Sequence, residues 1–501
     1  MNTRRLIGLI VLALFATWIG LRGCTSEPPP PPETPEPVRE AFHATKPLSL
    51  TVHFEQATVE DETDEGWLER ELRYLLLRGQ MNVATNEPAA ATFELRFAVS
   101  ADRQHATLQL IAPDEVVERE QAVPLGTQRL DTIRALASSL PSFLDASHAS
   151  NDWATFLGTS DTRAYDTYLR SAAQLFGSTA QGVTRPVASR AMTRTIERLE
   201  ALTRTQPKFA RASAALAIAY LSLGGDDLVS LSELAQSAAE RALLLDDNLA
   251  EAHAALGVVN LRENEWIAAQ DRFVRALSLD ANLASAAEGL GCLYVDSGHP
   301  KRSLSYAQLA VALQPRNVGA NECLTYASIG TASEETTDVV PIAPVARVRA
   351  LAAFLQGDTR AAERLLRRTM PRAEFEIWAG PTLQAASNRR LVSEALKAIT
   401  LAANDGYIDA ATEILCGAAL KQPEFVFNRL ARLAREETHA PLRVLWLPNT
   451  DFLRNHPRFE QTISAAGLTS LWHSSGPPDI CASEPNVYGC NLRGESFATR
   501  E

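Results

Sequence analysis

The 501-residue chain is short of everything from which catalytic and metal sites are usually assembled. It contains no Gly-x-Ser-x-Gly, no His-Glu-x-x-His, no glycine-rich phosphate loop and no Cys-x-x-Cys pair. Its nine histidines stand singly, at His43, His53, His105, His148, His253, His299, His439, His456 and His473. Without a nucleophile–base pair or a ligand set, no enzyme activity, cofactor or metal is expected. Asp246-Asp247 and Glu263-Asn264-Glu265 fall between helical patterns, where solvated carboxylates act as ordinary caps. Long Lys/Arg runs are also missing, and the formal net charge is −12. A phosphate backbone needs a concentrated basic footprint, so nucleic acid is excluded as a partner. Aromatic residues make up only 7% and Gly is modest at 25, whereas Ala and Leu dominate. That balance favours helices packed closely on helices.

What is present begins with an export signal. Arg4 and Arg5 precede an uncharged apolar run from Leu6 to Leu21, a pattern that directs residues 1–24 to a membrane with the N-terminus inside. Three fates are compatible with it. The run can stay as an anchor, with Arg22 snorkelling to the interface. Leu21-Arg22-Gly23-Cys24 can act as a lipobox, making Cys24 a lipidation site, although Arg22 stands where that motif takes a small residue. The peptide can also be cleaved for secretion. Each sends the rest of the chain across the membrane, so a periplasmic body is expected, and the five residues before the apolar run leave no room for a cytoplasmic output domain. Residues 25–45 follow as a Pro-rich spacer, SEPPPPPETPEP, extended at about 3.1 Å per residue.

Residues 46–145 change character. LSLTVHFEQ, MNVAT, ATFELRFAVS, HATLQLIAP and EVVEREQAVPL read as strands, with period-2 alternation at Phe93, Leu95 and Phe97. Two amphipathic helices, DEGWLERELRYLLLRG and TQRLDTIRALASSLPSFL, complete a small α/β domain. Beyond it, residues 160–440 are helical and repetitive. The segment from Ala250 and the segment from Ala284 are equally long and gapless, placing Leu256-Gly257 on Leu290-Gly291, Ala276 on Ala310 and Ala281 on Pro315. A period of about 34 residues, with small residues at the helix crossing, is the tetratricopeptide (TPR) pattern. Earlier and later hairpin candidates flank these two, and residues 316–345, rich in Thr and Pro, read as a loop. The expected fold is therefore mainly α: a TPR-type helical-hairpin solenoid preceded by a small α/β domain, with residues 441–501 as its cap.

In a TPR stack, one face of each first helix lines a concave groove. The register puts Arg211, Ala214, Ile218 and Leu221 there in one repeat, and Glu251, Ala254, Val258, Leu261 and Arg262 in the next. Glu288, Cys292, Val295 and Asp296 follow in the third. These form the candidate partner-binding site for a protein or peptide; alternatively they pack against the 316–345 loop. His253 holds an interface position and reads as structural. Cys481 and Cys490 lie close together in an irregular tail, and in an oxidising space they form a short-loop disulfide. A zinc site would need two more ligands nearby, and His473 alone does not supply them. Cys292, Cys323 and Cys416 read as small buried hydrophobes.

AYDTYLRSAAQLF (164–176) and QPKFARASAALAIAYLSLG (206–224) resemble the TPR region of bacterial membrane proteins that join it to an adenylate cyclase or a winged-helix transcription regulator. In that group the preceding α/β domain is similar to the N-terminal domain of the Tol translocation protein. The tail residues Pro457-Arg458-Phe459, Gly467-Leu468, Trp472, Gly476, Pro478-Asp479 and Cys481 match as well. The resemblance implies an envelope protein without the cytoplasmic output half. It thus implies a membrane-tethered scaffold for protein partners, or a sensory remnant acting on a separately encoded regulator; an enzyme with an unrecognised site is the third alternative.

Overall fold

The computed structural model describes residues 49–55, 66–79, 81–83, 93–100, 104–145, 153–177, 189–224, 228–332, 342–435 and 440–490. Residues 1–24, read from the sequence as a membrane segment with Cys24, and the spacer 25–45 lie outside the described residues. Among those described, no helix is long and apolar enough to cross a membrane.

Five strands form one sheet in the order β2-β1-β3-β4-β5: β1 (Ser49–Glu55), β2 (Asn82–Val83), β3 (Phe93–Val99), β4 (His105–Ile111) and β5 (Val117–Pro124). β1 runs parallel to both β2 and β3, while β3, β4 and β5 form an antiparallel meander. Alternation decides the faces. Leu95, Phe97, Ala106, Leu108, Leu110 and Val123 are buried, and they share one core with helices α1 (Trp67–Arg78) and α2 (Arg129–Phe143).

The remainder is a right-through stack of helical hairpins. It starts with α3 (Thr162–Phe176) and α4 (Arg190–Thr205), then α5 (Ala210–Ser222) and α6 (Leu228–Leu245). Two regular hairpins follow: α7 (Ala250–Arg262) with α8 (Trp266–Leu279), and α9 (Ala284–Asp296) with α10 (Pro300–Leu313). Every boundary of the second pair lies 34 positions after its counterpart, and α11 (Val318–Thr331) starts 34 after α9. This is a TPR-type solenoid. The close crossing depends on glycine: a Cβ on Gly257 would meet the Phe273 ring at 2.7 Å, and one on Gly291 would meet the Ala307 backbone at 3.2 Å. The stack continues through α12 (Ala343–Leu355), α13 (Thr359–Thr369), α14 (Gly380–Ser387), α15 (Val392–Asn404), α16 (Ala410–Ala419) and α17 (Pro423–Arg435). Helices α18 (Arg458–Ala465) and α19 (Leu468–Ser475) belong to the cap.

Two expectations are corrected. Residues 318–331 are a helix rather than a loop. Its sequence, VGANECLTYASIGT, has weak intrinsic propensity, and packing against α9, α10 and α12 overrides it. Asn317 caps the helix, its side chain accepting from the Ala320 amide. Secondly, Cys292 and Cys323 are not independent hydrophobes. They form a disulfide between α9 and α11, adding a covalent tie between neighbouring repeats. Cys416 is buried and unbridged, and the Cys481–Cys490 disulfide is present as expected.

Candidate functional site: the inner face of the solenoid

The register places the candidate groove residues on the inner helices α5, α7 and α9. Most of these side chains are engaged by the chain itself rather than open to a groove. At one end lies helix α1 of the α/β unit. Arg211 grips Glu71 through two parallel bonds, Nη1 to Oε2 at 2.7 Å and Nη2 to Oε1 at 2.8 Å, and both side chains are buried. The Tyr165 hydroxyl donates to the same carboxylate. The guanidinium also lies over the Tyr74 and Tyr168 rings, at 3.7 and 4.7 Å from the centroids. Burial alone would raise the Glu71 carboxyl, but the Arg211 charge and its hydrogen bonds hold it below the usual carboxylate range. Beside this cluster, burial pushes the Glu251 carboxyl up.

Further along, Ile218 and Val258 are in the core. Arg262 donates from Nη2 to the Leu221 carbonyl at 2.8 Å and from Nη1 to the Ser232 hydroxyl at 3.1 Å. Desolvation pulls its guanidinium down to about 10. Glu288 is fully buried and accepts from Asn317 Nδ2 at 3.0 Å, which ties α9 to the start of α11.

The other end is filled by the C-terminal segment. Asp296, fully buried, accepts from the Arg443 backbone N–H and from Arg443 Nε, both at 2.9 Å, and forms an ion pair with Arg443 Nη2. Burial would lower the Arg443 guanidinium, but Asp296 raises it overall. Arg443 Nη1 also donates to Cys323 Sγ at 3.0 Å, so the bridge and the ion pair share one interface. Two indoles reach the same turn: Trp446 Nε1 donates to the Asp296 carbonyl at 2.7 Å and Trp472 Nε1 to the Ser297 carbonyl at 2.9 Å. Asp479 pairs with the turn too, its N–H donating to Gly298 O at 2.8 Å and its carboxylate accepting from the Lys301 N–H at 2.9 Å. Phe459, Ile463, Leu468 and Trp472 are all buried. A cleft of about 510 Å³ remains between α11, α12 and Pro448, bordered by Thr325, Ser328, Ile329, Arg349 and Gln356.

No protein-family model matches the chain, and no curated protein matches it. Among solved structures, one titled for the functional characterization of Pseudomonas aeruginosa PilF is 21% identical with a TM-score of 0.25. It covers 45% of this chain and 90% of its own. A structure of Naa15/Naa10 bound to HypK-THB is 16% identical with a TM-score of 0.24, covering 64% of this chain and 48% of its own. At these scores neither likeness bears on what the chain does; the fold rests on the hairpins themselves.

His253, read as structural, has Nε2 at 3.0 Å from the Asp247 carbonyl and Nδ1 at 3.3 Å from Arg272. His299 is a partner that sequence reasoning missed. It is buried, with Nδ1 at 3.1 Å from the Ser297 hydroxyl and Nε2 at 3.1 Å from the Gly476 carbonyl. Burial depresses the pKa of both rings. The unfolded chain therefore takes up protons that the folded chain refuses, and stability that is complete above about pH 6.5 declines as the pH falls toward the folded values. Thermal melts between about pH 7.5 and pH 5 should show this loss, and His299→Gln should reduce it; an unchanged slope in the variant refutes the role of His299. Among the described residues no group of three or more His, Cys, Asp or Glu is placed to hold a metal ion.

Proposed function

We propose that the protein is a membrane-tethered, extracytoplasmic scaffold that binds protein partners in the bacterial cell envelope. The observation that carries this reading is the union of a TPR-type solenoid with two disulfide bridges. A hairpin stack offers long, rigid surfaces for protein recognition, and structural disulfides persist in oxidising compartments. Arg4, Arg5 and the Leu6–Leu21 run supply the tether. Because the inner face already holds α1 and the C-terminal segment, partners engage the outer surface, and no catalytic step is assigned.

The test is site-specific photo-crosslinking in cells producing the full chain, with the probe placed at exposed positions of α6 and α13. Recovery of the same protein from independent positions on one face supports the scaffold. No crosslinked protein from any position, together with a small molecule that shifts the thermal midpoint, overturns it. The tether is checked by fractionation and mass: a body found free in the soluble periplasmic fraction refutes it, and palmitate labelling of Cys24 separates a lipid anchor from an uncleaved helix.

A further inference from the structure

One stretch of the stack concentrates positive charge in a chain that is otherwise acidic. Residues 359–400 hold eight Arg and Lys against four Glu, within a formal net charge of −12. On α13, Arg360, Arg364, Arg367 and Arg368 recur at helical spacing and span a wedge of about 100°. All four are exposed, on the side opposite buried Ala362 and Leu366. Helix α14 packs against α13, and the chain emerging from it presents Arg389 and Arg390, followed by Lys397 on α15; all three are exposed. Arg367 pairs with Glu363 at 2.9 Å and lies over the Phe375 ring. Arg360, Arg364, Arg368, Arg389, Arg390 and Lys397 have neither an ion pair nor a side-chain hydrogen bond among the described residues.

We propose that this face docks an acidic segment of a partner protein, one that presents carboxylates at helical spacing. The inference rests on the scaffold reading and names its partner surface. Charge complementarity is the first argument: six exposed cations stand without a counter-charge on an acidic molecule, which steers and orients an acidic partner. Residue type is the second. Five of the six are Arg, whose planar fork takes a carboxylate through two parallel hydrogen bonds. The surface already makes Arg–carboxylate contacts within itself, Arg367 to Glu363 at 2.9 Å and Arg372 to Glu376 at 2.8 Å. A lipid surface fits less well. No large apolar side chain of α13 is exposed for insertion, although Leu401 is exposed one turn after Lys397, and the interleaved Glu side chains would face anionic headgroups at close range.

The experiment uses the purified full chain in detergent and a fluorescein-labelled Ala-rich peptide carrying Glu at every fourth position, with a Lys-for-Glu peptide as control. Anisotropy should show binding of the Glu peptide only, weakened at least about tenfold by Arg360→Gln/Arg364→Gln/Arg368→Gln and similarly by raising salt from about 50 to about 300 mM. These side chains are exposed, so an unchanged melting curve should accompany the loss. Equal binding by the variant, or no binding by either protein, overturns the proposal. So does binding of phosphatidylglycerol-containing vesicles, but not of the Glu peptide, by the unaltered protein. Repeating the photo-crosslinking with the triple variant keeps the two readings distinct: partners recovered undiminished leave the scaffold standing and remove this face, whereas no partner from either protein, together with a small molecule that shifts the thermal midpoint, removes the scaffold itself.

Discussion

Glu71→Ala should destabilise the protein by about 3–5 kcal/mol, read from chemical unfolding followed by circular dichroism. The carboxylate is fully buried, and its removal leaves the buried Arg211 guanidinium without its counter-charge. Arg211 Nε already lacks a partner, so the site has no spare acceptor to offer. The Tyr74 and Tyr168 rings supply cation–π attraction but accept no conventional hydrogen bond. A paired replacement, Glu71→Leu with Arg211→Met, should recover most of the loss, because two apolar side chains remove the charge together with its counter-charge. A single-variant effect below about 1 kcal/mol would mean that the pair is hydrated and that α1 is not fixed to the solenoid through it. Acid should act in the same direction. The Glu71 pKa is lowered in the folded state, so its contribution is complete above the ordinary carboxylate range and is lost as the pH falls through the folded value.

The second large effect is expected at the bridge between repeats. Cys292→Ala/Cys323→Ala should cost about 3–4 kcal/mol on the loop-entropy scale, since the bridge closes a 31-residue separation. Cys481→Ala/Cys490→Ala closes only 9 and should cost less, loosening the tail while the hairpins stay folded. The two losses should also differ in kind. Cys323 receives a hydrogen bond from Arg443, so removing the inner bridge disturbs the contact that seats the C-terminal segment. Near-ultraviolet dichroism from Trp446 and Trp472 should therefore fall with the inner variant, and limited proteolysis should cut earlier around Arg443. If both double variants melt alike and leave the Trp signal untouched, the inner bridge carries no such coupling.

Much of this architecture was legible in the sequence because it repeats. Two gapless segments beginning at Ala250 and Ala284 fixed the hairpin period, and Gly257 and Gly291 marked the crossing. The strands announced themselves through alternation at Leu95 and Phe97. Helix α11 did not, because its Val, Gly, Asn and Thr residues have low intrinsic preference and its stability comes from neighbours remote in sequence. For the candidate groove residues, which neighbours they meet was not readable. Register tells which side chains share a surface, whereas Arg211 meets Glu71 across 140 residues and Asp296 meets Arg443 across 147. The Cys292–Cys323 bridge was hidden for the same reason: each Cys sits in an Ala-rich helix that looks like core, and only the stacking of α9 on α11 brings the sulfurs together. The cationic stripe on α13 was present in the letters, but its lack of partners is a property of three dimensions.

The way the C-terminal segment crosses back has a mechanical consequence. Its anchoring bonds run to the turn from Asp296 to Lys301, through Arg443, Trp446, Trp472, Gly476 and Asp479. A pull on the tail would therefore load the middle of the stack directly, in parallel with the α16–α17 end, which Lys421 and Arg458 bond to the same segment. Tension on the tail would travel by this shortcut into α9 and α10 without first passing through α12–α15.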